Sequence, residues 1–424
     1  MELDQGNTAF ILIAAALVLL MTPGLAFFYG GLVKAKSVIS MMMMSFGALG
    51  LIGVLWVLYG YAIAFPGAEG TLAPWAIDSS ALGLSSLVDL PEGAAYPPLA
   101  FAAFQATFAI ITVALVSGAI ADRAKFGAWM VFAGIWATVV YFPVASWVFN
   151  FGLAEDGSFA YGGWLTHGLQ DVFGVGTIDF AGGTAVHINA GAAALALALV
   201  LGKRVGFAKG VNVPHNPPFV LLGAGLLWFG WFGFNAGSEL AADNTAALAF
   251  VNTIAAPAAA LLAWLLIEKL KDGKPTSVGA ASGAVAGLVA ITPACGSLTP
   301  GYAIILGIVA GAVCALAIDL KFKLGFDDSL DVVGIHLIGG LIGTLYLGFF
   351  ANGTGLVYSG EFTQLLVQLI AALSVLIYSF VLAFIIGYVI EKTMGFRIKN
   401  EDEIAGIDTV VHGEEGYVLV DARA

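Results

Sequence analysis

The sequence predicts an all-α polytopic membrane protein of eleven spans, N-terminus outside and C-terminus inside. Three observations carry that expectation. Hydrophobic residues fill 60% of the 424 positions and charged ones only 10%, where a soluble domain holds about 25% charged residues. Apolar runs long enough to cross about 30 Å of hydrocarbon recur along the chain. All 16 Lys and Arg residues fall in loops on one side of an eleven-span arrangement, as cytoplasmic loops should. The net charge of −12 speaks against nucleic-acid binding, which wants a basic face.

The expected spans are 8–31, 37–64, 98–120, 127–151, 179–202, 218–237, 244–268, 278–295, 300–320, 332–351 and 362–391. The first is read as a retained span: its flank, Met1-Glu2-Leu3-Asp4, is acidic where a secretory signal is basic. The basic positions are Lys34, Lys36, Arg123, Lys125, Lys203, Arg204, Lys209, Lys269, Lys271, Lys274, Lys321, Lys323, Lys392, Arg397, Lys399 and Arg423. The alternate loops 65–97, 152–178, 238–243, 296–299 and 352–361 hold no Lys or Arg but several acids. This gives a membrane domain at 1–399 and a polar tail at 400–424. Cys295 and Cys314 lie on different apolar runs, so neither a disulfide framework nor a metal-thiolate site is expected.

An odd number of spans suggests a repeat. Helices one to five and six to ten would form two halves of opposite orientation, with the eleventh left over. The fifth run begins Asp179-Phe180-Ala181-Gly182-Gly183 and reaches His187; the tenth begins at Asp331 and reaches His336. Inverted repeats place a substrate path near the midplane at their interface. Ionisable residues inside spanning helices are costly and mark such paths. A neutral imidazole both donates and accepts a hydrogen bond, so a histidine pair suits a small, uncharged, polar permeant. By contrast, His167, His215 and His412 read as solvated loop or tail residues, and Asp327, Asp328 and Asp331 as a solvated acidic loop beside Lys321 and Lys323. Asp179 and Asp331 each read first as helix caps.

Aromatic residues are mostly core or lipid-facing. The string from Trp231 to Ser238 (Trp-Phe-Gly-Phe-Asn-Ala-Gly-Ser) is an exception, ending the sixth helix where aromatic faces can hold a cation. The sequence shows no helical zinc-protease motif, phosphate-binding loop or nucleophile elbow, so an enzyme is not expected, and no cofactor or metal is either.

At these residues the chain resembles the ammonium transporter (Amt/Rh) family, in its prokaryotic branch. The strings that carry the resemblance run from Asp179 to Gly191, Gly202 to Gly206, Trp231 to Ser238, Ala249 to Thr253, Thr292 to Gly296 and Asp331 to His336. The resemblance implies a homotrimer in the cell membrane with one pore per subunit, no enzymatic activity, and ammonium or methylammonium as the permeant. Phe108 and Phe234 match the family's phenylalanine gate, and His187 and His336 its twin histidines. Phe108, Phe149, Trp231, Ser238, Asp179 and Ala181 match the external recruitment region. Phe149 stands where the family often has Trp, which binds cations better. The tail, with Gly406 and Asp408, resembles the cytoplasmic segment that couples subunits and receives PII-type regulators. The implied function is capture of NH4+ outside and conduction of NH3 with coupled proton transfer. Three alternatives remain: an ammonium receptor with little flux, a Rhesus-like neutral gas channel, and an intramembrane hydrolase. A long soluble output domain would favour the first. The Asp179 pattern and glycine-containing tail disfavour the second, and the third lacks a paired nucleophile.

Overall fold

The computed structural model describes residues 3–66, 76–91, 94–153, 159–207 and 213–417. Among these, ten helices have the length and apolarity to cross a membrane: α1 (Gln5–Leu32), α2 (Ala35–Ala64), α3 (Pro98–Ile120), α4 (Phe126–Phe149), α5 (Gly183–Leu201), α6 (Pro217–Glu239), α7 (Asn244–Lys271), α9 (Pro300–Leu324), α10 (Val333–Phe350) and α11 (Thr363–Thr393). Between α7 and α9 lies α8 (Ser277–Ile291), of 15 residues. The expected full span at 278–295 is therefore shortened. A proline follows at position 293, and with no N–H it cannot continue the helical hydrogen-bond ladder. The chain then turns, held by Asn252, whose Nδ2 donates to the carbonyls of Cys295 and Leu298 at 2.8 Å each.

Helix starts follow local chemistry. Asp4, Asn216, Asp243 and Thr276 accept from backbone N–H groups three residues on, opening α1, α6, α7 and α8. Pro98 and Pro300 open α3 and α9, where a missing N–H costs nothing. A short antiparallel ribbon, Phe151–Leu153 with Phe159–Gly162, follows α4; it is the one pair of strands among the described residues.

Packing runs through glycine. A Cβ on Gly223 of α6 would fall 2.2 Å from the Phe28 nitrogen of α1, and one on Gly233 would fall 2.7 Å from the Ala14 carbonyl. These helices therefore meet backbone to backbone and antiparallel, as small-residue membrane interfaces allow. The α5–α10 pair repeats the arrangement: a Cβ on Gly191 would sit 2.5 Å from the Leu337 nitrogen. First with sixth and fifth with tenth is the pairing an inverted repeat produces.

At the end of the bundle that carries the described basic residues, two expectations are corrected. Asp327 and Asp328 are buried, at 0% and 1% exposure, rather than solvated. Asp327 accepts a forked pair of bonds from Arg204, which also reaches Asp122. Lys321 is likewise buried, donating to the Asp328 carbonyl and to the Asp331 carboxylate. His215 and His412 are also not simply solvated. His215 bridges the Val33 carbonyl and the Tyr417 hydroxyl, and His412 packs edge-on against Phe126. Lys209, Arg423 and the rest of 418–424 lie outside the described residues.

Residues 400–417 of the tail dock on this same end. Glu403 is buried, accepting from the Val205 nitrogen and pairing with Arg397. Asp408 accepts from the Ile39 and Ser40 nitrogens, the start of the second helix; burial raises its carboxyl above the ordinary range while those N–H groups oppose the rise. Gly406 takes φ +130, open to glycine, and a Cβ there would meet the Lys36 side chain at 3.0 Å.

Candidate functional site

The two intramembrane histidines meet. His187 lies on α5 and His336 on α10, and their Nδ1 atoms are 3.2 Å apart, with both residues buried. Each sits in a wide, π-type turn, Gly183–Ile188 and Val333–Leu337. Such turns are rare and concentrate at functional sites. Two nitrogens at that distance share one proton, so one ring donates while the other accepts. The His187 Nε2 has no hydrogen-bond partner among the described residues.

Each wide turn is preceded by a carboxylate. Asp179 accepts from the nitrogens of Gly182, Gly183, Thr184 and Ala185, and from the Thr184 hydroxyl. This is the capping role expected of it. Its counterpart in the other half is not the expected Asp331 but Asp328, whose Oδ2 accepts from the Val333 nitrogen at 2.7 Å. Asp179 precedes His187 by eight residues, and Asp328 precedes His336 by eight. Asp331 pairs with Lys321 instead. Counting back from each histidine would have found the match.

Above the histidines, Phe108 and Phe234 stack at 4.2 Å between centroids and 23° between planes. Phe149 meets Phe108 edge-on at 6.3 Å. Trp231 does not join the mouth as expected. Seven residues along a helix is about 10 Å, which carries Trp231 to the histidine side, parallel to His187 at 5.6 Å. There its Nε1 donates to the Thr292 hydroxyl. Ser238, at the other end of that string, is half-buried and donates to the Phe234 carbonyl at 2.8 Å. Ala181 is fully buried in the turn that Asp179 ties together.

The rings enclose a narrow cavity. His187, His336 and Trp231 line it with Phe28, Phe234 and a wall of aliphatic side chains from α1, α3, α6 and α8, including Leu25, Leu115, Leu227 and Val285. A bare cation in such surroundings costs many kcal/mol, while a neutral polar molecule costs a few. Among the described residues, no three His, Cys, Asp or Glu side chains converge as a metal site would require.

Comparison with known proteins decides the family: the profile of the Ammonium Transporter Family matches residues 9–417. The chain belongs to that family. It is 53% identical to an ammonium transporter of Mycobacterium tuberculosis, covering 98% of this chain and 90% of that one. It is 42% identical to an ammonium transporter of Bacillus subtilis over 98% and 99%. Among solved structures it superposes on Saccharomyces cerevisiae Mep2 with TM-score 0.86, at 33% identity over 100% and 94% of the two chains. A protein described as a sensor Amt protein superposes with TM-score 0.85, at 27% identity over 96% and 98%. Membership makes this a multi-pass membrane protein of a transport family, not an enzyme.

Proposed function

We propose that this family member captures NH4+ at an external vestibule, removes a proton and conducts NH3 through each subunit, with the proton transferred alongside and net charge moved. The observation that carries the reading is the histidine pair, its Nδ1 atoms 3.2 Å apart in an apolar cavity beneath stacked phenylalanines. Phe108, Phe149 and Ser238 form the mouth, where ring faces attract a cation. Phe108 and Phe234 close the way down, so the ion loses its water only after capture. The deprotonated molecule then crosses at the lower cost of a neutral species.

The ring pair supplies the proton path. When the His187 Nδ1 donates to His336, the His187 Nε2 is left as an acceptor. A proton taken there allows the Nδ1 proton to pass to His336, which releases its own Nε2 proton on the inner side, and reorientation of both rings resets the pair. Asp179 holds the turn that aims His187, and Asp328 does the same for His336.

The reading extends to a homotrimer in the plasma membrane, N-terminus outside, with methylammonium as a second permeant. Residues 400–424 form a cytoplasmic regulatory tail that couples subunits through Gly406 and Asp408 and receives a PII-type regulator. The test is current from reconstituted protein on ammonium, methylammonium and potassium pulses. Wild type should carry ammonium and methylammonium current and exclude potassium. His187→Ala and His336→Ala should lose ammonium current or leak potassium. A silent wild type would overturn the transport reading, and unchanged single variants would make the histidines packing residues.

A further inference from the structure

We infer that α11, the helix outside the inverted repeat, is a register clamp for the histidine pair, and that Gln368 is the positioning residue at its centre. This rests on the transport reading above. The amide of Gln368 is fully buried and fills all four of its hydrogen-bonding positions. Its Oε1 accepts from the Ile178 nitrogen at 2.8 Å and from the Gln364 amide at 3.2 Å. Its Nε2 donates to the Ile178 carbonyl at 2.8 Å and to the Thr344 carbonyl on α10 at 3.1 Å.

The placement gives these bonds their meaning. Ile178 immediately precedes Asp179, whose carboxylate gathers the first turn of α5. One side chain thus pairs with the backbone of that lead-in as a neighbouring strand would, and simultaneously grips the other histidine helix. Further along the same helix, the buried Ser379 hydroxyl donates to the Asn189 carbonyl at 2.8 Å, two residues past His187. Gln368 and Ser379 are eleven residues apart, about three helical turns, so they share one face. Both contacts join residues 190 positions apart in the chain, so α11 and the His187 segment run parallel in constant register. The wide turn at Gly183–Ile188 is held on both sides of the histidine. A wide turn has more freedom than a regular α-helical turn, and a fixed 3.2 Å separation between rings on two helices needs that freedom removed from outside.

The experiment uses the full chain, reconstituted, with Gln368→Met, Gln368→Glu, Ser379→Ala and the control Gln364→Met. Methionine matches glutamine in length and abolishes all four bonds; glutamate keeps the two acceptor bonds, from the Ile178 nitrogen and the Gln364 amide, and loses both donor bonds. Methylammonium half-saturation should rise about three- to tenfold in Gln368→Met, the scale of one or two lost hydrogen bonds. Discrimination against potassium should fall with it, with smaller shifts in Gln368→Glu and Ser379→Ala. Gln364→Met, which spares the Ile178 and Thr344 bonds and loses those to Gln368 and the Gly176 carbonyl, should shift half-saturation less than Gln368→Met. Half-saturation and selectivity unchanged per folded molecule, even with a lowered melting temperature, would overturn the inference. If Gln368→Met does not fold, Gln368→Glu and Ser379→Ala decide in the same way. Amide exchange over 176–190, read without any transport, should accelerate in the Gln368 variants, and unchanged exchange would also overturn it. A wild type that moves no ammonium would instead strike the transport reading, leaving the exchange result to judge the clamp.

Discussion

Replacing Asp179 with Asn keeps the shape of the side chain and removes its charge. The consequence can be worked from its five donors. In the better amide orientation, the remaining oxygen serves Thr184 and Ala185, and the NH2 group faces the nitrogens of Gly182 and Gly183, both of which are donors. Two buried N–H groups then lose their acceptor, at about 1–3 kcal/mol each. The surviving bonds lose their charge assistance, worth on the order of 1 kcal/mol more. The total, about 3–7 kcal/mol, is a large share of the roughly 5–15 kcal/mol that holds a typical fold. Asp179→Asn should therefore lower the melting temperature in detergent by on the order of 5 °C or more, and should lower methylammonium uptake at matched membrane abundance. A variant that melts and transports like wild type would refute the argument that this carboxylate organises the start of α5.

Other perturbations test separate parts of the molecule. Gly406→Asp puts a side chain at φ +130 against Lys36 and should reduce uptake without dissociating the assembly, as should truncation after Lys399; normal uptake in both would make the tail passive. Burial, then the nearby Asp331 charge, raises Asp328 to about 6 from 3.8, with Lys321 opposing. The folded chain thus holds that proton more tightly than the unfolded one, so this group's contribution is fullest below about pH 4 and is lost as pH climbs through 6. Asp328→Asn should flatten the melting temperature over that window, and an identical slope in the variant would assign the effect elsewhere. Single cysteines at Lys36, Lys125, Lys271 and Lys323 should be shielded from an impermeant external thiol reagent and one at Glu361 labelled; external labelling at Lys125 would reverse the proposed orientation. The further loop positions Glu69 and Asp156 lie outside the described residues.

What could be read without coordinates was whatever a bilayer makes expensive. His187 and His336 stood out because an imidazole in an apolar run needs a reason, and the spans stood out because hydrocarbon thickness dictates their length. Misreadings came where the partner is distant in sequence. Asp327 looked solvated because a loop carboxylate shows its charge but not the Arg204 that neutralises it from 123 residues away. Trp231 and Ser238 looked like one patch because a printed string hides the helix rise that separates them. Gln368 drew no notice because an amide in an apolar helix gives no hint that a backbone segment from elsewhere will meet it.

The glycine seam between α1 and α6 bears on how the molecule moves. A transporter that rocks one inverted half against the other needs an interface that can slide or hinge. Here the two leading helices touch main chain to main chain at Gly223, Gly230 and Gly233, which leaves little room to shear: a single methyl group on Gly223 would already collide with Phe28. Such a joint behaves as a weld rather than a bearing. The halves form one rigid frame, and on the proposed mechanism the moving parts shrink to two aromatic rings and a proton. Swinging Phe108 and Phe234 aside displaces a few atoms, not a domain. In the proposed mechanism, turnover is set by how often a captured ion waits above an opening ring.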